Sequence, residues 1–280
     1  MTFIPIETIN TSPSVVMFTA PNPGPKTLDG THTFVVGRDP AYIIDPGPSL
    51  PSYQDFLAQW LQKNGRRPEA IFLTHGHPDH APGAAHLKKL LTIPIWCSAA
   101  MADQQAGQLS VDRRFEDGHS FQVDGDTLRV IASPGHAPDH VTFWLEETGI
   151  LFSGDTILGQ GSTLIAPPEG DMAAYMNSLA AMQQLRPRLI APGHGPIVTD
   201  PRAKFEEYIR HRREREEQLL QVLAQRPAGE EELVSGVYTD VDPALHSLAR
   251  GSVQAQLAKL VAEGKVIQSG NLYRLPEPPG

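Results

Sequence analysis

Residues 74–80 read Thr-His-Gly-His-Pro-Asp-His, which puts four metal-ligating side chains, His75, His77, Asp79 and His80, within six positions. Imidazole and carboxylate together suit zinc and its first-row neighbours. Three such ligands make one site, and the fourth points to two ions side by side. Three more residues of the same kind each follow a glycine: His136 in Pro134-Gly135-His136, Asp155 in Ser153-Gly154-Asp155 and His194 in Pro192-Gly193-His194. Seven ligands suit two ions that share one carboxylate. In that division His75, His77 and His136 hold the first ion, and Asp79, His80 and His194 hold the second. Asp155 bridges them, because a carboxylate has two oxygens whereas imidazole has one nitrogen free for a metal. The expected cofactor is two Zn2+ per chain, with manganese or iron as alternatives.

Hydrolysis is the chemistry this set predicts. Two ions roughly 3.5–4 Å apart acidify a shared water, so that bridging hydroxide attacks an electrophile the ions also polarise. Asp79 is expected to orient the nucleophile as well as ligate. His140, in Pro138-Asp139-His140, is a candidate proton donor to the leaving group, with a supporting role outside the ligands as the alternative reading. His32 is a second such candidate, and 159–163, directly after Asp155, are expected to line the substrate pocket.

Elements that end at these residues must position them. Apolar runs at 33–36, 42–44, 70–73, 128–131, 141–145, 150–152 and 189–191 read as strands bounded by turn signals. The ligand-bearing segments follow four of those runs, so ligands far apart in sequence can converge on one sheet edge. Residues 53–63 place Phe56, Leu57, Trp60 and Leu61 on one helical face. Residues 83–91 and 171–185 read as further helices, the latter with Asp171 as its cap. Strands interleaved with helices define an α/β domain over 1–200. A charge-dense linking helix follows over 201–226. Residues 227–280 then read as helix (230–237), longer helix (243–263) and hairpin (264–267 with 272–274), the pattern of a winged helix. Arg250, Gln254, Lys259 and Lys265 are its candidates for contacting nucleic acid. The acidic balance of the chain favours instead that the module walls the cleft or forms a homodimer.

The formal net charge of −9 disfavours a duplex-DNA binder, which needs a basic face. The single cysteine, Cys97, excludes an intrachain disulfide and reads as a small buried hydrophobe. The first residues lack a secretory pattern, and no run approaches the ~18 apolar residues of a membrane span. A cytoplasmic protein without a membrane partner is expected.

His75-Gly76-His77-Pro78-Asp79-His80 with His136, Asp155 and His194 resembles the metallo-β-lactamase superfamily. The resemblance implies an αβ/βα sandwich of two mixed sheets with the site at one edge. It also matches Asp45, in Ile43-Ile44-Asp45-Pro46-Gly47, to an aspartate that supports the ligands from behind. Asp155 resembles the bridging aspartate of the superfamily's hydrolases and nucleases, which its true β-lactamases lack. Pro21-Asn22-Pro23, 30–37, Ile157-Leu158-Gly159, 175–179 and the winged-helix end are similar to the β-lactamase-like protein 2 group. That likeness implies metal-dependent cleavage of single-stranded RNA. The alternative is hydrolysis of a small-molecule carbonyl substrate: a thioester, lactone, ester or, weakly, a β-lactam. The chain departs from the group at His32, where asparagine is usual, and at Gly76, where many members carry a bulky aromatic. The glycine implies an open pocket.

Overall fold

The computed structural model of the protein describes residues 5–9, 11–238 and 246–277, which divide into two compact units. The first is built from the described residues up to Ser133, with Asp139–Gly161 and Leu185–Pro201. Seven strands form one of its sheets in chain order: β1 (Ile6–Ile9), β2 (Val15–Thr19), β3 (His32–Gly37), β4 (Ala41–Ile44), β5 (Pro68–Phe72), β6 (Ile95–Ser98) and β7 (Arg113–Phe115). Helices α1 (Pro51–Lys63), α2 (Gly83–Leu91) and α3 (Ala99–Gln104) connect the strands from β4 to β7. The second sheet runs β12 (Leu189–Pro192), β11 (Ile150–Gly154), β10 (Val141–Leu145), β9 (Asp126–Ala132), β8 (Ser120–Val123).

The two-residue period of a strand divides the core of this unit. Val15, Met17, Phe34, Val36, Ile44 and Phe72 face one way and pack with Val130, Phe143 and Phe152 of the second sheet. Val16, Phe18, Val35, Ile43 and Ile71 face the other way and pack with Tyr53, Leu57 and Leu61 of α1 and Leu87 of α2. Both faces of the large sheet are therefore covered, which explains why 70–73 is a continuous apolar run rather than an alternating one. Cys97 is fully buried in the helix-side cluster. Strands β4, β5 and β6 are parallel, and so are β11 and β12. The ligand-bearing loops after β5, β11 and β12 leave the C-terminal ends of these strands. The sequence reading did not single out β1, β2, β6, β7, β8 or α3.

The second unit comprises Pro134–Pro138, Ser162–Gln184 and the chain from Arg202 onward. Helix α4 (Met172–Gln184) starts where Asp171 Oδ1 accepts Ala174 N–H at 2.9 Å, the cap expected for it. Helix α5 (Pro201–Gln225) is followed by β13 (Ala228–Gly229), α6 (Glu230–Val237), α7 (His246–Ala262), β14 (Ile267–Ser269) and β15 (Leu272–Arg274). The start expected for the last helix, 243–245, lies outside the described residues. Leu219 and Leu223 of α5, Leu233 of α6, Leu257 and Leu260 of α7 and Tyr273 of β15 form the core of this three-stranded, helix-backed module.

The four side chains nominated for nucleic acid are all engaged by carboxylates of this same unit. Glu230 accepts Arg250 Nε at 2.9 Å and Gln254 Nε2 at 2.8 Å. Glu216 accepts Lys259 Nζ at 2.6 Å and Lys265 Nζ at 2.9 Å. Burial alone would raise the Glu216 carboxyl, but the two lysines hold it below the ordinary glutamate value of 4.5. A depressed carboxyl contributes stability above its unfolded value and loses it as pH falls through the folded one. Glu216→Gln is therefore expected to destabilise this unit by about 2 kcal/mol at neutral pH. It should also remove part of the loss below pH 4.5. Thermal unfolding against pH checks both.

No helix among the described residues is long and apolar enough to cross a membrane.

Candidate metal centre

Five distances define the core of the site. His80 Nε2 stands 3.4 Å from Asp79 Oδ2 and 3.3 Å from Asp155 Oδ1. His194 Nε2 stands 3.1 Å from Asp79 Oδ2 and 3.4 Å from Asp155 Oδ1. The two imidazole nitrogens are 3.3 Å apart. Ligand atoms bound tetrahedrally to one ion at roughly 2.0–2.1 Å lie about 3.3 Å from each other. Two imidazoles and two carboxylates converging at that spacing fit a zinc-like cation. A close approach of this kind needs Gly193, since a Cβ there would sit 2.6 Å from Asp155 Oδ1 and 2.7 Å from His80 Cε1.

The electrostatics of the group favour a cation. Burial alone would push His80 down, yet Asp155 and Asp45 overcome it and hold the imidazole well above the usual histidine range. Burial likewise opposes His194, but Asp155 and Asp79 raise it to about 9. Burial would raise Asp155 and Asp79. Instead His80 and His194 hold Asp155 well below the carboxylate range, and bonding to His194 with the charge of His80 takes Asp79 to about 2. Without an ion, protons on the imidazoles answer the two carboxylates. A metal would take their place.

Asp155 also gathers with His75 and His77, the ligand atoms lying within 4.8 Å of one another. His75 Nε2 and His77 Nδ1 are 2.9 Å apart. Burial keeps His75 well below the usual histidine range, hence neutral and able to ligate. His136 stands on Pro134–Pro138 of the second unit, where its Nδ1 lies 3.0 Å from Leu164 O.

The rear nitrogens of His75, His80 and His194 are fixed by the fold, which determines which nitrogen faces the site. His80 Nδ1 donates to Asp45 Oδ2 at 2.8 Å, and His194 Nδ1 donates to Gly30 O at 3.0 Å. Thr74 Oγ1 gives its one proton to Asp45 Oδ2 at 2.6 Å, so it accepts from His75 Nδ1 at 2.9 Å. Asp45 Oδ1 accepts Thr74 N–H at 2.8 Å. One buried carboxylate thus sets two imidazoles, one of them through a threonine. The family resemblance implies a place for Asp45 behind the ligands and none for Thr74. Asp45→Ala is expected to strand these donors, lowering stability by about 3 kcal/mol. It should also weaken metal binding roughly 10- to 100-fold. Chemical denaturation and zinc titration measure the two effects.

The other expected residues fall around this core. His140 is buried, with Nδ1 2.9 Å from Ser133 Oγ and Nε2 accepting Asp155 N–H at 3.1 Å. This bond aims His140 at the backbone of Asp155. It is packed closely enough that a Cβ on Gly154, whose φ is +48°, would lie 2.6 Å from His140 Nε2. His32 is buried, held neutral by that burial at about 4, and bonded through Nδ1 to Pro192 O at 2.9 Å. Gly76 does not simply leave space. Its Cβ direction is taken by Gln105 Nε2 at 2.9 Å and Asp139 Oδ2 at 3.0 Å, and Asp139 Oδ2 accepts its N–H.

The metallo-β-lactamase superfamily model matches residues 27–194, and the β-lactamase-associated winged helix model matches 230–274. The chain belongs to the metallo-β-lactamase superfamily and is a hydrolase of that class. Among its relatives is a β-lactamase-like protein 2 homolog of Caenorhabditis elegans, 36% identical over 273 residues, covering 94% of this chain and 88% of the relative. Another is an atrochrysone carboxyl ACP thioesterase of Aspergillus chevalieri, 37% identical over 266 residues, covering 91% and 83%. A β-lactamase domain protein from Burkholderia ambifaria shares the fold, with a TM-score of 0.83 at 22% identity over 96% of this chain and 94% of that one.

Proposed function

We propose that this hydrolase carries two zinc ions and cleaves small carbonyl substrates, thioesters first among them. His75, His77 and His136 would hold one ion, Asp79, His80 and His194 the other, with Asp155 shared. Bound there, the pair would supply Lewis acidity and a water acidified toward neutral pH. The chain's own residues do the rest. Asp79, a quarter exposed, is the ligand best placed to orient the attacking water. His140, accepting Asp155 N–H, acts by holding the backbone that carries the shared carboxylate rather than by protonating a leaving group.

The observation that favours a carbonyl substrate is the commitment of Arg250, Gln254, Lys259 and Lys265 to Glu230 and Glu216. A strand of RNA binds through phosphates and needs cations free to meet them. A net charge of −9 works in the same direction, and a relative aligned over most of the chain is named a thioesterase. Cleavage of a single-stranded RNA phosphodiester is the second reading, supported by the suitability of a two-ion centre for in-line displacement. A cytoplasmic location accords with either.

Zinc-loaded protein assayed side by side on acyl thioesters, lactones, a chromogenic β-lactam and single-stranded RNA decides between them. Thioester or ester turnover well above RNA cleavage is expected. The reverse ranking would replace the first reading by the second.

A further inference from the structure

Two stretches conspicuous in the sequence, Pro21-Asn22-Pro23 and Gly30-Thr31-His32, border the connection from β2 to β3. Thr31 is fully buried. Its N–H donates to Asn22 Oδ1 at 3.0 Å, which fixes the asparagine amide, so that Nδ2 is the group donating to Thr31 Oγ1 at 2.9 Å. A hydroxyl that accepts this bond still has one proton to give, and Asp79 Oδ2 stands 3.4 Å away to take it. Asn22 is anchored in turn, its N–H on Ala20 O at 2.9 Å and its carbonyl accepting Thr27 Oγ1 at 2.6 Å.

The same connection reaches a second ligand. Gly30 O is the acceptor for His194 Nδ1, and the backbone turn that presents it, with φ +144°, leaves a Cβ only 2.0 Å from Ala20 O, so glycine is required. His32 ties the strand end that carries His194: its N–H donates to Gly193 O at 2.8 Å and its ring to Pro192 O.

We propose that Asn22 and Thr31 are positioning residues for the second ion: Asn22 sets the direction of the Thr31 hydroxyl, and that hydroxyl holds Asp79 Oδ2 facing His80 and His194. The proposal rests on the metal reading of that group. Asp79 is the least buried of the four, so its carboxylate is the one most in need of an external hold. Fixing it beforehand removes a rotamer cost that metal binding would otherwise carry.

The test is zinc titration of the metal-free full chain, followed by calorimetry and elemental analysis. It compares wild type, Thr31→Val, Thr31→Ser and Asn22→Leu, with thermal unfolding as the control for folding. Thr31→Val and Asn22→Leu should weaken one of the two zinc equivalents roughly 10- to 100-fold and leave the other unchanged. Thr31→Ser, which keeps the hydroxyl, should restore the wild-type affinity. Two tight equivalents in both Thr31→Val and Asn22→Leu would overturn the relay while leaving the metal centre intact. Equal weakening of both equivalents, or no rescue by serine, would also overturn it, because either marks a general packing role. A wild-type chain that takes up fewer than two equivalents refutes the metal reading itself, a result distinct from failure of the relay.

Discussion

Asp155→Ala is expected to lose bound metal and activity together. This aspartate is the residue common to both ligand groups, facing His80 and His194 through Oδ1 and gathering with His75 and His77. Every other candidate ligand belongs to one group alone, so its removal can spare the second. Removal of Asp155 cannot, and it also leaves two buried imidazoles without the charge that raises their proton affinity. Breaking a buried charge pair from one side costs about 3–5 kcal/mol. Metal content close to two ions per chain should fall to well under one, with turnover reduced ~1000-fold or more. Asp155→Asn separates charge from shape, since it preserves volume and one acceptor oxygen; metal loss in this variant too would assign the effect to charge. Retention of two ions in Asp155→Ala would show that the carboxylate is not the bridge. Because His80 and His194 bind protons more tightly than free histidine in the metal-free protein, zinc uptake should release protons. Affinity should therefore rise with pH over the range up to about 9, where His194 gives up its proton. Calorimetry in buffers of different ionisation enthalpy measures that release.

Much of this centre was legible before the structure, and the reason is local. His75, His77, Asp79 and His80 lie within one turn-rich segment after an apolar run, so their proximity follows from chain connectivity alone. Asp155 and His194 are legible because each follows a glycine where an apolar run ends. What escaped was contact across long sequence separations. Thr74 lies inside the heptad of residues 74–80, yet its bond to Asp45, 29 residues earlier, is made by the parallel pairing of β4 and β5. Asn22 and Thr31 carry no charge and belong to no ligand pattern. Their bearing on Asp79 appears only when the β2–β3 connection is placed against the heptad loop. The same limit explains Gly76. A missing side chain reads as space, but Gln105, 29 residues on, fills it. The winged module shows the converse: its basic residues were visible in sequence, whereas their carboxylate partners, up to 49 positions away, were not.

Gly193→Ala should impair the centre as severely as loss of a ligand, though it removes none. Its φ is not the obstacle, because the conformation is one that alanine tolerates; the obstacle is volume. The added methyl would begin 2.6 Å from Asp155 Oδ1, 2.7 Å from His80 Cε1 and 3.2 Å from Gly154 C. None of these can yield cheaply. His80 is fully buried and pinned from behind by Asp45. Gly154 O accepts Gly193 N–H at 2.8 Å, locking the ends of β11 and β12 together. Relief must come from driving Asp155 and His80 apart, and a displacement on the order of 1 Å at a catalytic group costs roughly 100-fold in rate. Overpacking of this kind lowers stability by about 1–3 kcal/mol, so the protein should still fold. Gly76→Ala supplies the contrast within the same centre. Its methyl would first meet the far end of the half-buried Gln105 side chain, which can swing away, leaving Asp139 Oδ2 at 3.0 Å as a milder contact. Metal content and turnover measured on both variants should therefore diverge, near wild type for Gly76→Ala and severely reduced for Gly193→Ala. Equal loss in the two would mean that the tight packing of His80 against Asp155 is not what the ions require.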